Sequence, residues 1–396
     1  MVRYVFNTAY IDIYAVFFVA LRQKGNGVYT LKFIVIMLQY KNIRIDKWGV
    51  FMAVFFSPLT KNIGIDLGTC TTNVWVESRG VVWSEPSIVV IREGIPIQIA
   101  VGNAAERLLA KTEGTAKIQY PLDNGTISNY QVTCDMLGYL LNKCVRSVQQ
   151  LRIMVGISAG ASNVEKRAVM EALYQVGAKE ALLIDTGVAA ALSVSQASTE
   201  SSTMVIDMGG GTTNVALIAF GGIVFSTSIH QGSLVYNQVI REYLRSRYDI
   251  GVDEQTIEAI KKYCGTAVLP IENKSFEFVG RKLDSGRQSK LSITTSELYP
   301  VIGRPLQKIA TLVRQVLQEI PPELIADIMV NGIALTGGGA NLVGVDTFFA
   351  QLLGLPVRVV DEPELAVIRG IGIAWQEREY VSACIEDTSC VYKRRL

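Results

Sequence analysis

The chain has 396 residues, 49% of them hydrophobic and 19% charged, the composition of a globular protein too long for one average core. Its formal net charge of +2 produces no strong field toward nucleic acid, so no nucleic-acid partner is expected. Six cysteines lie without C-x-x-C spacing and His230 is the only histidine, which argues against a zinc site and leaves histidine-based catalysis resting on one residue.

Residues 10–21, 28–40 and 48–59 are apolar patches of about a dozen residues each, short of the roughly 20 that span a bilayer. No small-residue cleavage site follows a basic start, so a secretory signal fits poorly. Residues 1–60 therefore read as an N-terminal extension, expected to be disordered. Two origins compete: a membrane-associating arm, or a reading frame opened too early, with Met52 as the true start. The second is preferred. From Met52 the chain reads Met-Ala-Val-Phe-Phe-Ser-Pro-Leu-Thr-Lys, an apolar tip suited to a lipid interface.

Beyond residue 60, two segments are near-copies. Residues 65–76 (Ile-Asp-Leu-Gly-Thr-Cys-Thr-Thr-Asn-Val-Trp-Val) and 206–217 (Ile-Asp-Met-Gly-Gly-Gly-Thr-Thr-Asn-Val-Ala-Leu) share seven of twelve positions. Such internal similarity marks a duplicated structural unit. Each copy is an apolar run carrying an aspartate (Asp66, Asp207), a turn of Gly and small hydroxyl residues, and a second apolar run, hence strand–turn–strand. Two turns exposing backbone N–H groups beside a carboxylate suit a phosphate–metal clamp.

Around and between the copies, strands and helices alternate, which predicts an α/β architecture. Short strands are expected at 81–82, 87–91 and 97–100, and a helix within 127–148. A buried strand follows at 152–158. The next helix, 162–176, has Ser162 as N-cap and Glu165 at the capping-box position. A strand at 181–184, a helix at 189–196 and a polar linker at 195–202 lead into the second copy, and His230 beyond it reads as an ordinary strand-end histidine. Helices at 234–248 and 253–263, a polar strand pair at 275–279 and 289–294, and a long helix at 296–319 ended by Pro321-Pro322 come next. One buried strand, 332–336, runs into Thr336-Gly337-Gly338-Gly339-Ala340 and then an amphipathic helix at 345–353. This third Gly-rich turn again lets backbone approach a ligand.

These motifs resemble the MreB family of bacterial actins, within the superfamily of actins, sugar kinases and heat-shock chaperone ATPases. Besides the two phosphate turns, Ser84-Glu85-Pro86-Ser87 resembles the family's Asn-Glu-Pro-Ser, and residues 120–127 resemble its Arg-Pro-Met-Lys-Asp-Gly-Val-Ile. Pro321-Pro322-Glu323-Leu324 and Leu335-Thr336-Gly337-Gly338-Gly339 match in order and spacing, so the likeness covers roughly residues 61–376.

The resemblance implies an actin-like, ribonuclease H-like α/β fold of two duplicated halves around a nucleotide cleft. The first half would span 61–200 with a smaller insertion at about 92–131. The second would span 201–376 with a smaller subdomain at about 246–322, and residues 377–396 would form a frayed tail. By the same resemblance Gly68, Thr69, Cys70 and Thr71 match the first phosphate loop, and Gly209, Gly210, Gly211, Thr212 and Thr213 the second. Asp66 and Asp207 match the carboxylates that hold Mg²⁺, and Gly337, Gly338 and Gly339 the adenosine loop. Glu258 and Lys261 fall on the helix flanking sugar and adenine. The implied cofactors are ATP and Mg²⁺. Since no lysine lies in either loop, phosphate charge must be offset by backbone N–H groups and the metal.

Four departures stand out. Where the family has Leu-Ile-Glu-Glu-Pro, this chain has Leu183-Ile184-Asp185-Thr186-Gly187, so the groups that would position the attacking water are Asp185 and Thr186. Nucleotide binding is thus better supported than efficient hydrolysis. Gln231-Gly232-Ser233 replaces Gly-Gly-Asp, and Tyr263 replaces an acid. Residues 146–151 are shorter than the loop that carries a membrane anchor in some relatives, which shifts any membrane contact toward 52–59.

The function implied is a cytoplasmic bacterial actin that binds ATP, assembles with itself into filaments and determines cell shape. Its partners would be the cytoplasmic membrane surface and membrane proteins of the wall-synthesis machinery. A hydrolysis-poor paralogue co-assembling with another family member, or a plasmid- or organelle-positioning actin, remains the alternative. A chaperone ATPase would need some two hundred further residues, and a small-molecule kinase would need a base beside an acceptor pocket.

Overall fold

The computed structural model describes residues 13–25, 28–40, 60–92, 98–111, 116–145, 150–195, 202–220, 222–379 and 381–386. Strands β1 (Ile13–Gly25) and β2 (Val28–Tyr40) pair antiparallel, from Ile13↔Tyr40 to Gly25↔Val28. Disorder was the expectation for this extension, and the hairpin corrects it. Both runs are rich in β-branched and aromatic residues, and the sequence between them, Asn26-Gly27, is the strongest short hairpin signal. The apolar stretch 52–59 lies outside the described residues.

From Thr60 a separate unit begins. The first near-copy forms β3 (Thr60–Leu67) and β4 (Thr71–Val76), extended antiparallel by β5 (Gly80–Pro86). A small sheet follows, from β6 (Val89–Arg92), β7 (Gln98–Val101) and β8 (Ala116–Gln119), with α1 (Asn103–Lys111) between the last two. A two-residue pairing of β9 (Leu122–Asp123) with β10 (Thr126–Ile127) leads into α2 (Tyr130–Cys144). Then β11 (Gln150–Ile157), α3 (Asn163–Gln175), β12 (Ala178–Asp185) and α4 (Thr186–Val194) complete the half. The Ser162–Glu165 capping box that starts α3 is present as expected.

The second near-copy repeats the plan with β13 (Thr203–Met208), β14 (Thr213–Ala219) and β15 (Gly222–Ile229). After α5 (Leu234–Tyr248) comes β16 (Ile250–Gly251), α6 (Glu254–Cys264) and the pair β17 (Ser275–Lys282) and β18 (Gln288–Thr294). The chain continues through α7 (Thr295–Glu319), α8 (Pro322–Asn331), β19 (Ile333–Thr336), α9 (Val345–Leu353), β20 (Val357–Val359), α10 (Ala366–Gln376) and β21 (Ile385–Glu386). The strand orders β12-β11-β3-β4-β5 and β20-β19-β13-β14-β15 are identical, each an antiparallel meander joined to two parallel strands.

Four expectations are corrected here. Pro322 does not merely end a helix: it is the first residue of α8, where its missing N–H costs nothing. Strand β20 pairs parallel with β19, so 332–336 is not the last strand; its half-exposed Val-Arg-Val carries no apolar run to betray it. Helix α10 was not anticipated. Nor is the tail frayed as far as Glu386. Val381 and Cys384 are buried, and β21 pairs with β12. Residues 387–396, with Cys390 and the basic end, lie outside the described residues, as do linker residues 196–201.

Period-two alternation sorts the core into three layers. In the first half Ile153 and Val155, Ala181 and Leu183 face outward under α2 and α3, whereas Met154, Leu182 and Ile184 face inward. In the second, Met204 and Ile206, Val215 and Leu217 pack under α5 and α7, whereas Val205, Ala216 and Ala334 face inward. Between the sheets lie α4, with Val188–Leu192 all buried, and α10, with Ile368, Ile371 and Ala374. At Gly370 a Cβ would sit 1.6 Å from the Ala189 carbonyl oxygen, and at Gly372 2.7 Å from Trp75 Nε1.

Gly370→Ala therefore sets a helix-propensity gain of about 1 kcal/mol against overpacking of about 1–3 kcal/mol or more. The contact is with backbone, which cannot rotate away, so the loss dominates. Urea denaturation is expected to show a clear fall in stability. Gly303→Ala in α7, where no atom lies within 4 Å of the added methyl, is the control and is expected to be neutral or stabilising. Equal behaviour of the two variants contradicts the close approach of α4 and α10.

Candidate functional site

The tips of the two meanders meet. Gly68–Cys70 joins β3 to β4 and Gly209–Thr212 joins β13 to β14, the second closed by Gly209 N–H donating to Thr212 O at 2.9 Å. A Cβ on Gly210 would lie 2.4 Å from Cys70 Sγ, and one on Gly211 2.5 Å from Thr69 Oγ1, so only glycine fits at this junction. The β9–β10 turn closes over both loops: Gly125 N–H donates to Thr69 Oγ1 at 2.8 Å, and His230 Nδ1 donates to the Asn124 carbonyl at 2.9 Å.

Between the loops is a cavity walled by Asp66, Gly68–Thr71 and Gly209–Thr212 with Asp207, and by Gly337 and Gly338 of the third turn. Gly337 has φ +78°, and its Cβ would lie 2.4 Å from Met208 O; at Gly338 nothing stands within 4 Å. Gly337 N–H donates to Pro363 O at 2.7 Å, which fixes the turn. No lysine or arginine lines this cavity among the described residues.

Both aspartates are held by an asparagine seven residues on. Asn73 Nδ2 donates to Asp66 Oδ2 at 2.9 Å and Asn214 Nδ2 to Asp207 Oδ2 at 3.0 Å, with Thr336 Oγ1 donating to Asp207 Oδ1 at 3.1 Å. Enclosure by protein pushes the Asp66 carboxyl up to about 7, against the Asn73 hydrogen bond and helped by the Asp207 charge. The same burial takes Asp207 to about 6, opposed by Asn214 and Thr336. A cavity with two such carboxylates and no cationic side chain fits a divalent cation, whose charge would hold both ionised. No cluster of three or more His, Cys, Asp or Glu is present among the described residues. Beyond the aspartates, a hard ion's oxygen ligands here would be water and phosphate.

Other expected residues fall nearby but not on the wall. Asp185 is the N-cap of α4: its Oδ1 accepts from Val188 N–H and its Oδ2 from Ser226 Oγ, both at 3.0 Å, and burial raises its pKa. Thr186 does line the cavity, and its buried Oγ1 has no partner. Thr213 Oγ1 donates to Gln231 O at 2.6 Å, and Gly339 packs on Met208. On α6, Glu258 accepts from Lys261 Nζ at 2.7 Å and from Asn237 Nδ2 at 2.9 Å. Burial works against the Glu258 carboxylate, but these partners bring it below the usual range. The field of Lys261 reaches the Cys70 thiol, which burial nonetheless raises.

The wall also includes Asn73, Asn214, Ser158 and Glu364, which the sequence reading did not single out, and Ser233, which it marked only as a departure from the family. The two asparagines had a signal: Asp-x₆-Asn recurs in both near-copies. Ser158 had none, because its role comes from the other half, where its Oγ donates to Asn214 Oδ1 at 2.7 Å.

Residues 60–383 match the family model described as MreB/Mbl protein. Escherichia coli (strain K12) cell shape-determining protein MreB is 36% identical over 329 residues, 81% of this chain and 94% of that protein. Bacillus subtilis (strain 168) cell shape-determining protein Mbl is 33% identical over 316 residues, 79% and 95% of the two chains. Among solved structures, MreB5 of Spiroplasma citri bound to ADP superposes with a TM-score of 0.74 at 30% identity, covering 81% of this chain and 97% of that one. The MamK double helical filament gives 0.68 at 20% identity over 80% and 99%, a likeness of fold. The two-half fold is the actin-like one that the resemblance implied, and the chain belongs to the MreB/Mbl protein family.

Proposed function

We propose that this chain binds ATP with Mg²⁺ in the cleft between its halves and polymerises into a cytoskeletal filament that determines cell shape. The observation that carries the reading is the meeting of two Asp–Gly turns across one cavity lacking cationic side chains. Spiroplasma citri MreB5, 30% identical, is bound to ADP in one structure and to AMPPNP in another, in support of a nucleotide here. The matched relatives named cell shape-determining proteins support the cytoskeletal role.

In the mechanism, Mg²⁺ when bound would neutralise phosphate charge. Backbone N–H groups of Gly68–Thr71 and Gly209–Thr212 would cradle the phosphates, and Asp66 and Asp207 would hold the metal. Because one loop comes from each half, a ligand touching both favours the closed arrangement over the open one. A closed subunit stacking head to tail makes a heterologous contact that does not close on itself, and so a filament. In the cell such filaments would lie at the cytoplasmic membrane surface and organise membrane proteins of wall synthesis. No helix among the described residues is long and apolar enough to cross a membrane, so this contact would be peripheral.

A hydrolysis-poor member is the second reading, favoured by the fate of Asp185. The only acid at the end of β12 is engaged by Val188 and Ser226, and the group on the cavity wall is the Thr186 hydroxyl.

Three outcomes test these readings. High-speed sedimentation is expected to pellet the protein with ATP and Mg²⁺ but not with EDTA; a protein that stays monomeric with ATP–Mg²⁺ at high concentration sinks the filament reading. For hydrolysis, Asp185→Ala is expected to lower stability by about 0.5–2 kcal/mol through loss of the cap while phosphate release barely changes. Thr186→Glu puts a carboxylate on the wall and is expected to raise release about tenfold or more; a large fall in Asp185→Ala contradicts the assignment. The third concerns pH. Both aspartates have folded pKa values above the unfolded 3.8. Their stabilisation is thus full below about pH 4 and lost as pH rises through about 6 to 7. Without nucleotide the melting temperature is expected to fall across that window, and ATP–Mg²⁺ to flatten the fall. An Asp66→Asn variant with the wild-type slope rules out this origin.

A further inference from the structure

Each aspartate of the clamp has its own asparagine, but the two asparagines are not equally employed. Asp66 lies opposite Asn73 and Asp207 opposite Asn214 in the antiparallel registers, and both asparagines are only 2% exposed. Each gives Nδ2 to its carboxylate. In the second half the remaining amide atom is satisfied, because Asn214 Oδ1 accepts from Ser158 Oγ at 2.7 Å. In the first half Asn73 Oδ1 is buried, belongs to a residue of the cavity wall and has no partner. Thr186, on the same wall, carries the second unpartnered buried oxygen. Thr186 stands on the other side of Asp66: Gly156 pairs with Asp66, and a Cβ on Gly156 would lie 3.0 Å from Thr186 Cγ2.

An amide oxygen only accepts. Phosphate oxygens are acceptors as well and cannot complete it; its partner must bring a proton. Turning the amide over would set Oδ1 against the Asp66 carboxylate, acceptor against acceptor. Mg²⁺ sheds water reluctantly and keeps several waters, each a strong donor. We propose that Asn73 is a positioning residue of the cleft, holding Asp66 through Nδ2 and receiving, at Oδ1, a hydrogen bond from a water carried by the Mg²⁺ of the nucleotide complex. This rests on the ATP–Mg²⁺ reading above. It makes Asn73 responsible for the metal dependence of binding, not for binding as such.

The test is equilibrium binding of a fluorescent ATP analogue with Mg²⁺ and with EDTA, alongside Mn²⁺ binding to the protein–nucleotide complex read by electron paramagnetic resonance. Asn73→Leu, close in size and without polar atoms, is expected to lower affinity about tenfold in Mg²⁺, the effect of losing an outer-shell partner of a metal, with affinity in EDTA little changed. Asn73→Gln keeps both the amide donor and the amide acceptor and is expected to retain most of the metal-dependent affinity. That variant also carries the test if Asn73→Leu does not fold, which circular dichroism decides. Equal losses of Asn73→Leu in Mg²⁺ and EDTA, no loss in either, or an Asn73→Gln as damaged in Mg²⁺ as Asn73→Leu overturns the proposal and leaves Asn73 a packing partner of Asp66. Wild-type protein that binds the analogue in neither condition refutes the nucleotide reading itself, and this inference with it.

Discussion

Everything in the Thr60–Glu386 unit is referred to the contact between the Ala189 carbonyl and Gly370. Helices α4 and α10 come from equivalent places in the two halves, each following the last parallel strand of its sheet. They are the only helices placed in the layer between the sheets among the described residues. A methyl at Gly370 would lie 1.6 Å from the carbonyl oxygen, far inside any tolerable contact, so the spacing of these helices sets the spacing of the halves. Alanines 189–191 on one helix and Gly370, Gly372 and Ala374 on the other keep it small. Interiors packed at crystal density transmit displacement instead of absorbing it.

The second link between the halves is polar. Along β15 and just past its end, Ser226, Ser228 and His230 recur every second residue. Each reaches the first half, at the Asp185 carboxylate, the Gly160 N–H and the Asn124 carbonyl. A strand places alternate residues on one face, so one edge strand of the second sheet lies along the first half like a seam. Such bonds are worth about 0.5–1.5 kcal/mol each, enough to favour closure and too little to make it permanent. Apolar packing at α4 and α10 fixes where the halves pivot, and this polar seam sets how readily they part.

The legibility of this architecture in the sequence followed physical scale. Local chemistry was plain: the Ser162–Glu165 box, α5 and α9 fall where spacing put them, and the two near-copies marked both Gly turns that wall the cavity. What escaped was decided across the fold. Gly370 and Gly372 look like helix breakers until Ala189 and Trp75 are seen pressing on them. Tail strand β21 holds two residues and exists only because β12 offers an edge. Asp185 was legible as an acid but not as a cap engaged by Ser226, 41 positions on. Ser158 shows the limit most clearly, since its contact with Asn214 spans 56 positions and joins different sheets.

The duplication built two similar carboxylate sites, and their difference carries information that neither site carries alone. On the cavity wall, the second half satisfies its polar atoms from within the protein, through Thr336, Asn214 and Ser158. The first half leaves the Asn73 and Thr186 oxygens without partners beside an Asp66 driven toward neutrality. Buried unsatisfied groups cost about 1–3 kcal/mol apiece, and a folded unit worth about 5–15 kcal/mol bears few of them without return. A ligand that completes those groups recovers the cost, and by mass action it stabilises the state in which they are buried together. The unmet oxygens of the cavity thus lie in the first half, whereas those of the second are met by the protein itself.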